Sequence, residues 1–181
     1  GYTGEGVVVA VVDTGFDLDH ADLNDNLWTN IHEIPGNGRD DDGNGFVDDV
    51  YGWDFAYNDA RPNDSNGHGT HVAGIVAAEH NGFGVTGVAS DAWIMPVQVL
   101  GDSGAGSVLD VAAGIRYAVD NGADIINLSL GSSAPSRSIQ SALSYADQND
   151  VLVVAAAGNS GRSQPDYPAR YGASYSNLLS V

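Results

Sequence analysis

The chain has no cysteine and, across 181 residues, no lysine. Without cysteine there are no disulfide staples, no thiolate metal site and no cysteine nucleophile, and the redox compartment is left unread. Six arginines stand against 24 Asp+Glu, for a formal net charge of −18. A phosphate-binding face needs clustered bases, so nucleic acid and anionic membrane surfaces are excluded as ordinary partners. No apolar run approaches the ~20 residues of a membrane-spanning helix. An initiator methionine and a signal peptide are missing too. The chain opens on Gly1-Tyr2-Thr3-Gly4, and its final Leu178-Leu179-Ser180-Val181 reads as a strand just beginning. The sequence is therefore expected to be a window cut from a longer chain, truncated at its C-terminus.

What is present is enough for one folded core. Apolar residues make up 43%, which argues against disorder despite the charge, and 24 glycines imply many turns or close backbone approaches. Four short apolar runs, Val7–Val12, Trp93–Leu100, Ala123–Leu130 and Val151–Ala157, lack polar alternation, as strands covered on both faces do. Pro96 inside the second run favours an edge or a bulge there. Between the runs lie helical patterns at His68–His80, Ser107–Asn121 and Ser138–Asn149. The alternation predicts an α/β fold, a doubly wound, mostly parallel sheet with helices on both faces. Residues 1–181 read as one partial domain. Residues 13–68 hold 14 of the 24 acids, so an acidic surface insertion is expected at about 24–64.

Three places carry chemistry. Asp13-Thr14-Gly15 ends the first strand, at the sheet edge where α/β active sites lie; Asp13 there is a candidate acid or a plain turn former. Asn66-Gly67-His68-Gly69-Thr70-His71-Val72-Ala73-Gly74 opens the first helix, with glycines clearing space around His68. The dipole at a helix N-terminus disfavours an imidazolium unless a carboxylate offsets it, and Asp13 is such a carboxylate. His68 and His71 as a metal pair is a poorer reading, because no further ligand stands at zinc spacing. Ala157-Gly158-Asn159-Ser160-Gly161 follows the last full strand, and Asn159 there is either a turn residue or an amide donor aimed at a reacting carbonyl oxygen.

Asp-Thr-Gly, His-Gly-Thr-His-Val-Ala-Gly and Ala-Ala-Gly-Asn, in that order on an α/β frame, resemble the subtilisin family of serine proteases along the whole chain, Gly1 to Val181. The resemblance implies a catalytic set in which Asp13 orients the imidazole, His68 is general base and Asn159 is the oxyanion donor. It implies peptide-binding edges at Gly104-Ala105-Gly106 and Ser129-Leu130-Gly131, which clamp a substrate strand through main-chain hydrogen bonds, with Asn66 beside them. A plain flexible loop is the other reading of the Gly104 stretch. Ala156, Ala157 and Gly158 would line the pocket for the residue preceding the scissile bond. Asp166, just before Tyr167-Pro168-Ala169, would stand at its floor and favour Arg or Lys, unless it points to solvent. The family's nucleophile lies in a Gly-Thr-Ser-Met-Ala-like motif that does not occur here. The fragment is expected to be inactive alone, with the serine beyond residue 181.

Calcium is the expected cofactor. Asp40-Asp41-Asp42-Gly43-Asn44-Gly45-Phe46-Val47-Asp48-Asp49 is similar to an EF-hand-type loop. Asp40, Asp42 and Asn44 fall at positions 1, 3 and 5, Gly45 at the sharp turn, and Phe46 where a carbonyl binds. Position 12 is Tyr51 and not glutamate, so Asp49 or Asp48 has to close a shortened loop. The alternative is a solvated acidic loop. A second site is implied only by the family resemblance, with Asp22, the Asn81 side chain and carbonyls of Glu79, Phe83 and Val85. The resulting expectation is a secreted, monomeric, calcium-stabilised serine endopeptidase, acting on polypeptides and made with a propeptide. The rival is a non-catalytic, calcium-dependent peptide-binding pseudoprotease.

Overall fold

A computed structural model of the chain describes residues 2–181; Gly1, the first residue of the family likeness, lies outside the described residues. Six parallel strands form one sheet: β1 (Val8–Asp13), β2 (Trp53–Asp54), β3 (Trp93–Gln98), β4 (Ile125–Leu128), β5 (Leu152–Ala155) and β6 (Leu178–Ser180). Their order is β2-β3-β1-β4-β5-β6. The chain leaves β1 towards β3 and later returns to β4 on its other side. The crevice beyond the C-terminal ends of β1 and β4 is thus the switch point at which such sheets bind ligands.

Helices cover both faces. On one side α1 (His68–Ala77) sets Ala73 and Ala77 against Val9, Val11 and Ile94. On the other, α2 (Val108–Asp120) and α3 (Arg137–Gln148) bury Val111, Ile115, Ile139 and Leu143 against Ala10, Val12, Met95 and Val97. This double cover is why the strands read as unbroken apolar runs. Serines cap both outer helices: Ser107 Oγ accepts from Leu109 N at 3.1 Å, and Ser136 Oγ from Ile139 N at 3.4 Å. The first helix stops at Ala77, short of the expected His80. The Ile75, Val76 and Ala78 carbonyls instead accept from the Val88, Ala89 and Gly87 N–H groups of the returning chain.

Two local expectations change. Pro96 lies neither on the edge nor at a bulge, because β3 is the second strand and pairs with β1 in unbroken register from Val8↔Trp93 to Asp13↔Gln98. The Ile94 and Gln98 carbonyls accept from Trp28 and Phe55 on the outer side. By strand parity the missing Pro96 N–H also faces outward, away from β1, so no β1–β3 bond is lost. The acidic segment is more than surface decoration. It contributes β2, and Phe46, Trp53 and Phe55 pack with Tyr117 of α2, the Phe46 ring centroid lying 5.0 Å from those of both Trp53 and Tyr117. Tyr117 donates its hydroxyl to Asp49 Oδ2 at 2.6 Å, fixing the acidic loop to α2.

Gly114 sets how closely α2 approaches the sheet. A Cβ there would lie 2.6 Å from Val99 Cγ1 and 3.0 Å from Val97 Cγ1. Alanine gains about 1 kcal/mol of helix propensity over glycine. Overpacking a tight core costs about 1–3 kcal/mol, and two β-branched neighbours cannot easily turn away. Gly114→Ala is expected to lower stability in urea unfolding by about 1 kcal/mol net; a more stable variant would show that the valines yield freely.

Candidate active site

The site is assembled where the end of β1 meets the start of α1. Gly69 makes this possible: a Cβ at that position would run into the Gly15 carbonyl oxygen and lie 3.2 Å from Asp13 Cβ. The two segments therefore touch backbone to backbone, and His68, one residue earlier, is delivered to Asp13. Asp13 Oδ1 accepts from Thr14 N at 2.7 Å and pairs with His68 Nδ1 at 2.7 Å. An ionised carboxylate only accepts, so Nδ1 carries the proton and Nε2 is left as the basic nitrogen. Asp13 is fully buried, whereas the His68 side chain is 47% exposed and opens onto a cleft. Burial pushes the Asp13 carboxyl above its ordinary range, with the His68 and Thr14 hydrogen bonds opposing it.

Asp64, absent from the sequence-based candidates, organises this junction. Its Oδ1 accepts from Gly67 N at 2.8 Å, Asn66 N at 3.0 Å and the Thr14 hydroxyl at 2.9 Å. Its Oδ2 accepts from Thr70 N at 2.9 Å and the Thr70 hydroxyl at 2.7 Å. Burial raises its carboxyl, but these hydrogen bonds outweigh burial and hold it below the usual carboxylate range. The available signal was an acid four residues before the first helical position, at capping distance from it.

The cleft measures about 470 Å³ and joins His68 and Asn66 to Gly104, Ala105, Gly106, Ser129, Leu130 and Gly131. Asn66 Nδ2 donates to Asp102 O at 2.8 Å, tying the start of α1 to the Gly104 loop. Ala156, Ala157, Gly158 and Asn159 lie on the loop after β5, outside that lining. Asn159 is exposed, and among the described residues no hydrogen bond holds its side chain. Asp166 N donates to Ala157 O at 2.9 Å. The Asp166 carboxyl fills the space a Cβ on Gly158 would need, and its Cβ would be 3.3 Å from a Cβ on Gly131. Arg162 Nη1 stands 4.0 Å from Asp166 Oδ1. Asp166 thus sits between the two glycine-bearing segments and is only partly turned to solvent.

The acidic loop gathers some of its expected ligands. Carboxylate oxygens of Asp42 and Asp49 come within 4.8 Å of each other and of Glu33, a buried acid the sequence reading did not single out. Asp40 stands outside this cluster, because its carboxylate accepts from the Gly43, Asn44 and Gly45 N–H groups. Asn44 turns its amide NH₂ towards Asp42 and Asp49, and its Oδ1 accepts from Phe46 N. Burial pushes the Asp49 carboxyl up, against hydrogen bonds from Tyr117, Asn44 and Asn30. At the second place, Asp22 is wrapped by residues 79–85: Glu79 N donates to Asp22 O at 3.0 Å and Val85 N to Asp22 Oδ2 at 2.9 Å. Asn81 bonds to Glu79 and Phe83, and Asp22 Oδ1 is buried with no donor.

A family model described as the subtilase family matches residues 4–181. The chain is 42% identical to thermitase of Thermoactinomyces vulgaris over 179 residues, covering 98% of this chain and 55% of thermitase. It is 45% identical to subtilisin Savinase of Lederbergia lenta over 171 residues, covering 94% of this chain and 54% of that protein. It is 40% identical to a thermophilic serine proteinase of Bacillus sp. (strain AK1) over 177 residues, covering 97% and 38%. The chain spans about half, or less, of the length of these relatives.

The lowered Asp64 carboxyl gives a signed expectation. A folded-state value below the unfolded one stabilises the fold above the unfolded carboxylate range, and that stability is lost as pH falls through it. Asp64→Ala should destabilise the chain by about 2 kcal/mol at neutral pH, the upper range for a lost helix cap. The difference should narrow towards pH 3 in pH-resolved urea unfolding. A gap that does not change with pH would show that Asp64 acts by shape alone.

Proposed function

Because the chain belongs to the subtilase family, we propose that it forms the part of a serine endopeptidase that supplies the general base, its orienting carboxylate, the oxyanion donor and the substrate cleft. One observation carries this reading: the His68 Nδ1–Asp13 Oδ1 pair at 2.7 Å, with the rest of the ring open to a cleft between two glycine-rich edges. His68 Nε2 takes the proton of an attacking serine hydroxyl and returns it to the leaving amine, while Asp13 holds the tautomer and stabilises the imidazolium. The substrate lies extended between Gly104–Gly106 and Ser129–Gly131, and Asn159 swings its amide onto the developing oxyanion. Ala156, Ala157 and Gly158 border the side chain preceding the scissile bond. The Asp166 carboxylate favours Arg or Lys there, which a substrate scan preferring Phe or Leu would overturn.

The nucleophile is proposed to lie beyond residue 181, so that the 181-residue chain alone is inactive. Among the described residues no serine hydroxyl is hydrogen-bonded to His68. The surface of α1 supports a missing neighbour. The helix carries no polar side chain from Val72 to Ala77, yet Ile75 is 57% exposed, in one lining with Val85 at 64% and Val88 at 86%. A helix of that kind is normally covered. Fluorophosphonate labelling read by intact mass tests the reading. One adduct is expected on the full-length protein, at a serine outside these 181 residues, and none on the 181-residue chain. His68→Ala should lower kcat by about 10⁶-fold, the scale known for subtilisin, a member of this family. A folded full-length protein that takes no label would be a pseudoprotease.

Calcium is the proposed structural ion. The donor sets suit a hard cation: the Glu33, Asp42 and Asp49 carboxylates at one place, which the Asn44 oxygen joins only once its amide turns over and to which the family likeness adds the Phe46 carbonyl, and Asp22, whose buried Oδ1 has no donor among the described residues, with Asn81 and the 79–85 carbonyls at the other. Bound there, the ion neutralises carboxylates that otherwise repel one another; it takes no part in the proton transfers. Among the described residues no helix is long and apolar enough to cross a membrane. Secretion and a propeptide are part of the same proposal. Calcium at 100-fold over Kd is expected to add about 2.7 kcal/mol per site, read as a rise in thermal midpoint that EDTA reverses. Asp22→Asn and Asp49→Asn should each remove one share; a midpoint indifferent to calcium would overturn the assignment.

A further inference from the structure

Three polar side chains lie side by side in a nearly dry part of the sheet. Asp13, Gln98 and Asp54 end β1, β3 and β2, and they are mutual partners across the strands: Asp13↔Gln98 and Asp54↔Gln98. Their exposures are 0%, 1% and 2%. Paired residues of neighbouring strands point to the same face, about 4.8 Å apart. That face is the α1 side, since Asp13 Cβ abuts Gly69, and Ile94, four residues before Gln98, belongs to the α1-side core. Gln98 therefore stands between the carboxylate that orients His68 and a second buried carboxylate. Burial pushes the Asp54 carboxyl up to about 6, so this is not a neighbourhood that solvates charge freely.

The hydrogen bonds around Asp13 are lopsided. Oδ1 takes both the His68 and the Thr14 bonds, whereas Oδ2, also buried, has no donor among the described residues. On the paired residue of β3, Gln98 Oε1 is also buried without a donor among the described residues, and Gln98 Nε2 makes a long 3.4 Å contact to Leu100 O. Two buried acceptors cannot satisfy each other, and each costs about 1–3 kcal/mol if left bare. A single water has two hydrogens to give, one to each oxygen, and a small polar space with such partners is where buried water is held.

We propose that Gln98 is a positioning residue for the Asp13–His68 pair, anchoring Asp13 Oδ2 through one buried water that donates to both Oδ2 and Gln98 Oε1. Held at both oxygens, the carboxylate cannot rotate about its Cβ–Cγ bond and keeps Oδ1 on the imidazole. Gln98 acts through Asp13 and never meets substrate. The inference rests on the catalytic reading of Asp13 and His68 for its consequence, but its test reads geometry and not proteolysis, so the two fail separately.

A neutron or very high resolution crystal structure of the unmodified chain decides the first point. A water within hydrogen-bond distance of both Asp13 Oδ2 and Gln98 Oε1 supports the anchor; Oδ2 bonded directly to a protein group, or to a water that does not reach Gln98, overturns it. The second test is proton NMR of the His68 Nδ1–H in Gln98→Met and Gln98→Leu, two apolar replacements of different shape. Its solvent exchange is expected to quicken by about tenfold, as losing one hydrogen bond to a charged group allows, while β1 and β3 backbone amides keep their protection. An Nδ1–H resonance unchanged in position and exchange rate in either folded variant would overturn the role.

Discussion

The contact between Gly15 and Gly69 is the constraint on which the rest of the site depends. Only because Gly69 lacks a Cβ can the first turn of α1 close on the Gly15 carbonyl, while Gly15 lacks one to admit the Pro62–Asp64 backbone on its other side. Once they have closed, the donors and acceptors freed by both segments find one another. Gly69 N donates to the Thr14 hydroxyl at 2.9 Å, that hydroxyl donates to Asp64, and Asp64 takes the leading N–H groups of α1. The 2.7 Å Asp13–His68 bond is the end of this chain and not its cause. A net gain near 1 kcal/mol per hydrogen bond is small, but breaking one link leaves a buried group bare at greater cost. The junction therefore holds as a unit.

The same economy of partners explains how so acidic a chain folds. Carboxylates in the segment before α1 are spent largely on backbone N–H groups. Glu33 serves Asp41, Asp42 and Asp48, Asp48 serves Asn37 and Gly38, and Asp40 serves the turn at Gly43–Gly45. Even so bonded, Glu33 lies with Asp42 and Asp49 in a concentration of negative charge beside an aromatic cluster. Tyr117 joins that charge to α2, and burial with the Asp49 hydrogen bond drives the Tyr117 hydroxyl to stay protonated. Since α2 is capped by Ser107, directly after the Gly104–Gly106 edge, the acidic loop and the cleft share one rigid element.

Elements with their own period were legible. The runs ending in β1, β3, β4 and β5, and the helices capped at Ser107 and Ser136, follow from apolar spacing and cap chemistry within a few residues of their observed ends. Strand β2 was not legible, because Trp53 and Asp54 are too few to show a period and are extended only by pairing with Val97 and Gln98. Glu33 and Gln98 escaped for a related reason: an isolated acid or amide has no signature until its partners are known. Asp64 carried the signal of an acid just ahead of α1, but its bond to the Thr14 hydroxyl, 50 residues away, had none.

The sequence by itself determined the kind of object this is: a parallel sheet with both faces covered, because uninterrupted β-branched runs have no other stable burial, and motifs whose residue types suit one chemistry. The tertiary structure alone decided through which oxygen Asp13 meets His68, which acids cluster near Asp49, and which polar atoms are sealed from water. The physical reason is range. Propensity and periodicity act over a few residues, whereas burial and hydrogen bonding select partners 55 residues apart, such as Asp13 and His68, only after the sheet and α1 have closed on each other.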